Sequence, residues 1–149
     1  MQFFADLWSN GPLKCAVLSW AVAQLIKVLI TLWLDKKLDW RRCFGMGGMP
    51  SSHTAFVVSL MMAIAFQEGV SSTAFAISAA LAAIVIYDAM GVRRETGRQG
   101  EVLNQIITQM LVEGKPIDEK QLKELVGHTP LEVLGGLIVA VAITLPVML

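Results

Sequence analysis

The chain has 149 residues, no formal net charge at pH 7, and 55% hydrophobic against 16% charged residues. A soluble domain usually carries about a quarter charged residues, so this composition excludes an ordinary soluble domain. The zero net charge provides no broad basic field, and we expect no nucleic-acid partner. The two cysteines, Cys15 and Cys43, lack the spacing of a metal site or a disulfide framework. We interpret the chain as an integral membrane protein.

Apolar segments predict an all-α fold, a polytopic membrane helical bundle that forms a single membrane domain over residues 1–149. The predicted spans cover about residues 15–34, 51–66, 70–90 and 132–149. A helix of 19 residues reaches about 28 Å, which is close to a hydrocarbon core of about 30 Å. We therefore expect four transmembrane helices. The second span is short, so a three-crossing arrangement with a re-entrant second segment stays open.

Residues 92–129 separate the third and fourth spans and predict a cytoplasmic helical segment. Apolar residues recur there at helical spacing, with polar residues between them, which is typical of an amphipathic helix. The apolar positions are Val102, Leu103, Ile106, Ile107 and Met110. A capping-box pattern at 118–121 then predicts a second, short helix.

Basic residues set the expected orientation. The segments 35–50 and 88–132 together hold ten of the 12 lysines and arginines, and with four spans both lie on one side of the membrane. The positive-inside rule places that side in the cytoplasm and both termini outside. The expected location is the bacterial plasma membrane.

The first of the two histidines follows a glycine-rich turn. In the sequence Gly-Met-Gly-Gly-Met-Pro-Ser-Ser-His-Thr, which ends at Thr54, Ser51 or Ser52 is a candidate N-cap and a helix begins near His53. A helix start offers free backbone N–H groups and the positive end of the helix dipole, which suit an anion. The alternative is a close-packed re-entrant turn in which His53 is only interfacial.

The second histidine, His128, lies in Val-Gly-His-Thr-Pro-Leu-Glu, which ends at Glu132. Thr129 as N-cap, Pro130 at the first helical position and Glu132 three residues after the cap form a capping box. The same Glu132 lies near enough in sequence to orient the His128 ring, the arrangement expected of a positioned nucleophile or base. The spacing alone does not separate the two interpretations.

Several charged residues are expected at the same membrane face as the histidines. Arginine suits bidentate phosphate binding, so the candidate phosphate ligands are Arg41, Arg42, Arg93 and Arg94. The alternatives are that these arginines only follow the topology rule or bind anionic lipid headgroups. Lys27 lies inside the first span and is a candidate functional residue, with snorkelling as the alternative. Asp88, near the end of the third span, is most simply an ion-pair partner of Arg93 or Arg94.

The histidine motifs resemble a known superfamily. Pro50-Ser-Ser-His53 resembles the Pro-Ser-Gly-His motif of the type 2 phosphatidic acid phosphatase superfamily, which also contains the vanadium-dependent haloperoxidases. His128-x-x-x-Glu132 resembles its third motif, in which an aspartate follows the histidine by four residues. Together with Tyr-Asp-Ala-Met-Gly-Val-Arg-Arg at 87–94, these segments resemble the divergent branch of small membrane proteins.

That resemblance implies a metal-independent membrane phosphatase that needs no cofactor. By its motifs, His128 would be the nucleophile that forms a phosphohistidine, Glu132 would orient it, and His53 would protonate the leaving oxygen. Ser51 and Ser52, with backbone N–H groups and support from Gly48, would cradle the phosphoryl oxygens. Three features depart from the superfamily: Glu132 replaces aspartate, Ser52 replaces glycine, and the basic residues of the first and third motifs are not in register, so that Lys27, Arg93 and Arg94 would stand in for them.

We therefore expect a cytoplasm-facing hydrolase of a lipid or isoprenoid phosphate or diphosphate, embedded in the bilayer. A non-catalytic lipid-binding or assembly protein on the same scaffold is the main alternative. A transporter lined by Lys27, Gln24 and Asp88 and a vanadate peroxidase fit less well. The sequence also allows a homodimer, formed through close-packed small residues on the fourth span (Gly135, Gly136, Ala140) or on the third span (Ala79, Ala80, Ala83).

Overall fold

The computed structural model describes residues 9–35, 48–91 and 128–149, together with isolated positions at 2, 7, 99, 100, 102, 103 and 107. These ranges form four helices: α1 (Gly11–Asp35), α2 (Ser52–Glu68), α3 (Thr73–Met90) and α4 (Pro130–Met148). The all-helical fold predicted from the sequence is confirmed. The predicted helices within 92–129 lie almost entirely outside the described residues.

Local sequence signals mark the helix ends. The Asn10 side chain accepts a hydrogen bond from the Leu13 N–H at 2.9 Å at the start of α1. Ser72 accepts one from the Phe75 N–H at 3.1 Å at the start of α3. Between α2 and α3, Gly69 has a φ of 83°, a left-handed conformation that favours glycine. Each cap satisfies backbone groups that the helix itself leaves unpaired.

Three helices are long and apolar enough to cross a membrane: α3, α4 and residues Gly11–Trp33 of α1. The remaining helix, α2, has 17 residues. It is continuous, about 25 Å long by helical rise, and reaches from the turn at Pro50 to the level of Gly11, where a Cβ on Gly11 would lie 3.4 Å from the Gln67 side chain. Within the described residues, the second predicted span is thus a helix through the depth of the bundle.

The central element of the bundle is α2, which packs against each of the other helices, whereas α1 and α3 do not contact one another within the described ranges. The chain alternates in direction, so the starts of α2 and α4 lie at the same end as the ends of α1 and α3. Apolar cores form on two sides of α2, one around Val57, Val58 and Ala82 and one around Ala23 and Ala55. The core therefore holds the helix that begins at the Pro-Ser-Ser-His motif.

Small residues let α2 and α4 approach closely. A Cβ on Gly136 would overlap the Ser51 carbonyl oxygen and would lie 2.8 Å from Thr54 Cβ. Further along the same interface, Ser59 donates a hydrogen bond to Ser19 Oγ on α1 and lies 3.4 Å from the Ala140 carbonyl oxygen. The small residues of the fourth span thus pack inside the chain, because Gly135, Gly136 and Ala140 are all buried. Of the expected dimer surfaces, only that of the third span keeps exposed members, Ala80 and Ala83.

Gly136→Ala should destabilise the protein by about 1–3 kcal/mol, because the added methyl group has no space unless α2 and α4 move apart. Thermal unfolding in detergent micelles measures the effect. Ala142→Val is the matched control, since it also adds methyl groups to α4 but at an exposed position. Equal stability of the Gly136→Ala variant and the wild type would contradict the close helix approach.

Candidate active site

His53 lies in the first turn of α2. Ser51 is the N-cap of this helix, with extended backbone angles and a hydroxyl that accepts hydrogen bonds from the Thr54 N–H at 3.3 Å and from Thr54 Oγ1 at 3.1 Å. The cap lies at the positive end of the dipole of α2. The His53 side chain is exposed at this end of the bundle.

His128 lies immediately before α4 and is 4% exposed. Its Nδ1 is 2.7 Å from Oε2 of Glu132, a hydrogen bond in which the tautomer of the ring decides which atom donates. Thr129 is the N-cap of α4, with Pro130 at the first helical position, and its hydroxyl accepts a hydrogen bond from the Glu132 N–H. The Glu132 backbone therefore takes part in the cap while its carboxylate holds the His128 ring.

The two imidazole rings lie side by side. Their centroids are 5.8 Å apart and their planes are inclined by 59°. Because Glu132 occupies Nδ1 of His128, Nε2 is the nitrogen of that ring that is available for chemistry. Two rings at this spacing can contact different oxygen atoms of one phosphoryl group. The exposed His53 ring forms the solvent side of the site and the buried His128 ring forms its inner side.

Backbone hydrogen bonds tie the site to three helix ends. The Ser51 N–H donates to the Glu132 carbonyl oxygen at 2.8 Å and so joins the start of α2 to the first turn of α4. The His128 N–H donates to the Ala89 carbonyl oxygen, also at 2.8 Å, and so joins the start of α4 to the end of α3. These bonds, with the close approach at Gly136, hold the two histidines at a defined separation.

Lys27, on α1, is a further candidate residue of the site. Its side chain is 5% exposed, so the ammonium group stays inside the bundle, which argues against snorkelling to the membrane surface. The aliphatic part runs beside Gly48, where a Cβ would lie 3.6 Å from Lys27 Cδ; Gly48 itself has a φ of 85°, which favours glycine.

Residues 8–143 of the chain match the sequence profile described as the Divergent PAP2 family. The chain belongs to the divergent PAP2 family. It is 39% identical over 150 residues to the uncharacterized membrane protein YuiD of Bacillus subtilis strain 168, an alignment that covers 94% of this chain and 95% of that protein. No solved structure matches the chain. Membership in this family and its apolar helices identify it as an integral membrane protein.

In this divergent PAP2 chain, all the predicted site residues except the four arginines are among the described residues, and they lie at the end of the bundle where α2 and α4 begin. Gly48, Ser51, Ser52 and Lys27 lie around the start of α2, but both serines are buried and Ser51 Oγ serves as the cap. Asp88 lies half-buried on the last turn of α3. The four candidate arginines, including the expected partners of Asp88, lie outside the described residues.

Sequence reasoning missed two groups that position the site of this family member. The Ala89 carbonyl oxygen orients the backbone at His128, and Gly136 admits the Ser51 carbonyl oxygen to the surface of α4. A backbone acceptor has no signature in the sequence. The Gly135-Gly136 pair did indicate close helix packing, but not which helix it would meet.

Proposed function

We propose that this divergent PAP2 protein is a membrane-embedded phosphatase that hydrolyses a lipid or isoprenoid phosphate or diphosphate through a phosphohistidine. The observation that supports the proposal is the pair of imidazole rings 5.8 Å apart, one of them hydrogen-bonded to a carboxylate. A nucleophile held by an acidic residue, with a second titratable ring nearby, is the arrangement that covalent catalysis with a general acid needs.

In the first half-reaction, Nε2 of neutral His128 attacks phosphorus and forms the N–P bond as the P–O bond to the lipid breaks. The Glu132 carboxylate accepts the Nδ1 hydrogen bond and stabilises the positive charge that develops on the ring. His53, in its protonated form, gives a proton to the departing oxygen, so that the lipid leaves as a neutral alcohol or, from a diphosphate, as a monophosphate.

In the second half-reaction, His53 has lost its proton and serves as a general base toward water. The water oxygen attacks phosphorus, the N–P bond breaks, and His128 returns to its neutral form as inorganic phosphate leaves. His53 regains a proton in the same step. Each histidine therefore ends the cycle in the state in which it began.

Charge on the phosphoryl group is balanced by the start of α2. The dipole of this 17-residue helix favours an anion at its N-terminus. Lys27 and the arginines Arg41, Arg42, Arg93 and Arg94 are proposed as further ligands, together with the serine hydroxyls. Phosphoryl transfer depends chiefly on such positioning and charge neutralisation.

The surroundings of the site support the proposal of a lipid substrate. Large apolar side chains are exposed on the first turns of α4, at Leu131 and Leu134, and toward the end of α3, at Ile84 and Tyr87. A headgroup can reach the rings while its hydrocarbon chain lies along these helices in the bilayer. Because both basic segments join helices at this end, the positive-inside rule supports a site that faces the cytoplasm of a bacterial plasma membrane.

Purified protein in nanodiscs should release inorganic phosphate from at least one of phosphatidate, phosphatidylglycerophosphate and a prenyl diphosphate, and without added metal. A rapid alkaline quench with a ³²P-labelled substrate should trap a phosphoenzyme that is stable in base and labile in acid, as expected of a phosphohistidine. Heat-denatured protein in the same nanodiscs is the control for contaminating phosphatase.

A non-catalytic lipid-binding or assembly protein is the second candidate. It is favoured by the departures at the basic positions, where no arginine stands six residues before His128 and Leu122 occupies that place. Such a protein would bind lipid phosphates in the nanodisc assay but release no phosphate and trap no phosphoenzyme. That outcome would replace the phosphatase proposal.

A further inference from the structure

The helices α1 and α2 run antiparallel and stay in step along their common length. At the end of the bundle away from the histidines, a Cβ on Gly11 of α1 would lie 3.4 Å from the Gln67 side chain of α2. Eight residues further along α1, Ser19 accepts a hydrogen bond from Ser59, which lies eight residues before Gln67. Because the steps on the two helices are equal, positions on α1 and α2 can be compared directly in height.

The helix α1 is the longer of the two, and its extra length lies at the end that holds the histidines. A further eight residues bring α1 to Lys27 and α2 to its N-cap, Ser51, and the packing of the Lys27 side chain beside Gly48 agrees with this level. The apolar span of α1 continues to Trp33, six residues past Lys27. By helical rise, α1 therefore stays apolar for about 9 Å beyond the start of α2.

Trp33 marks the membrane interface on the α1 side. Its side chain is 80% exposed, and Leu29 and Leu32 are exposed as well, so apolar side chains are available to the bilayer up to this level. Tryptophan at the end of a span favours the interface, where its ring contacts both hydrocarbon and headgroups. The span from Gly11 to Trp33 has 23 residues, or about 34 Å, which is enough to cross a hydrocarbon core of about 30 Å.

The interface marker on α3 lies nearer to the histidines. Tyr87 is 73% exposed near the end of α3, and tyrosine also favours the interface. Two residues later, the Ala89 carbonyl oxygen accepts the hydrogen bond from the His128 N–H, so Tyr87 is about 3 Å from the level of that histidine along α3. Since α1 and α3 do not contact one another and both pack on α2, the two aromatic markers belong to different sides of the bundle.

Polar side chains are exposed at the lower of these two levels. They are His53 in the first turn of α2 and Thr129 at the start of α4. The helices there are short, with 17 residues in α2 and 18 in α3, or about 25 and 27 Å. A leaflet of full thickness would surround these polar groups with hydrocarbon, which is unfavourable. Local thinning of the bilayer is one response to spans that are too short.

We propose that the leaflet at the histidine end is thinned around the end of α3 and the starts of α2 and α4, so that phospholipid headgroups descend to the level of His53 and His128. On the α1 side the leaflet keeps its full thickness up to Trp33, so the membrane surface has a step of about 9 Å across the protein. The step is a property of the protein in its bilayer. Only its use, to bring a substrate phosphate to the histidines, rests on the proposed function.

Spin labels measure this step in nanodiscs of dioleoyl phosphatidylcholine and phosphatidylglycerol. A nitroxide is attached in turn at Trp33→Cys, Tyr87→Cys and Leu81→Cys, which are exposed positions, in a background without the native cysteines (Cys15→Ala, Cys43→Ser). Power saturation gives the ratio of collisions with oxygen, which concentrates in hydrocarbon, to collisions with a water-soluble nickel chelate. Leu81 is the hydrocarbon reference, because it lies in the middle of α3.

The Tyr87 label should give the same ratio as the Trp33 label and a much lower ratio than the Leu81 label. In a leaflet of full thickness the Tyr87 label would lie about 9 Å inside the hydrocarbon, and its ratio would be close to that of Leu81, which overturns the inference. Leu131→Cys, on the first turn of α4, provides a second label near the histidine level if the Tyr87 variant does not fold.

Lipid phosphorus NMR separates headgroups from a crevice that contains only water. The nitroxide at Tyr87 should broaden the ³¹P signal of the lipids as strongly as the nitroxide at Trp33, and the nitroxide at Leu81 should broaden it much less. A Tyr87 label that has the interfacial collision ratio but broadens the signal no more than the Leu81 label indicates a water-filled crevice, and it overturns the inference as well.

Phosphate release is measured separately on unlabelled protein in the same nanodiscs. If the protein releases no phosphate while the Tyr87 label is at the headgroup level, the proposed function fails and the thinned leaflet stands. If the protein is active and the Tyr87 label lies in hydrocarbon, the inference about the leaflet fails and the phosphatase proposal stands.

Discussion

His128→Ala should lower the rate of phosphate release by at least about a thousandfold, whichever phosphate ester is supplied, and should abolish the trapped phosphoenzyme. The reason is that the variant has lost the nitrogen that forms the N–P bond, and no other group can replace a covalent nucleophile in the same position. The measurement is phosphate release in nanodiscs, together with the alkaline quench of ³²P-labelled protein.

Leu131→Ala is the control for this change. It truncates a neighbouring residue on the first turn of α4, whose side chain is 67% exposed. It should keep activity within a few-fold of wild type with a water-soluble ester. Normal turnover in folded His128→Ala, or a phosphoenzyme that persists in it, would remove His128 from the reaction.

His53→Ala should show a defect that depends on the leaving group. With an alkyl phosphate, whose leaving oxygen is strongly basic, loss of the general acid should cost about a hundredfold to ten-thousandfold. With p-nitrophenyl phosphate the leaving oxygen departs without a proton, so formation of the phosphoenzyme should be nearly as fast as in the wild type. Its hydrolysis should be slow, because the general base is also missing, and phosphoenzyme should accumulate.

The comparison between the two histidine variants tests whether His128 is the nucleophile and His53 the general acid. If His53→Ala is equally defective with both esters and accumulates no phosphoenzyme, His53 is not the general acid and contributes through binding or packing. If instead His53→Ala behaves like wild type with the alkyl ester, the short distance between the rings has no catalytic meaning.

Local features of this protein follow from the sequence by itself. Long uncharged runs specify helices because in a bilayer every backbone polar group must find its partner within the segment. Ser51, Ser72 and Thr129 cap their helices because a hydroxyl there reaches the N–H two or three residues ahead. The His128–Glu132 contact is of the same kind, since residues four apart at a helix start lie on one face. All of these interactions act within about one helical turn.

Only the tertiary structure determined which of these residues lie close together. His53 and His128 are distant in the chain, and their spacing of 5.8 Å depends on the approach of α2 to α4 over Gly136 and on the bond from the His128 N–H to Ala89. Whether the Lys27 side chain lay at the membrane surface or inside the bundle depended on what packed beside it, and Gly48 lies beside it in the folded chain. The pattern of residues along one helix does not predict these contacts, because the packing of one helix on another is set by the shapes and charges of both surfaces together.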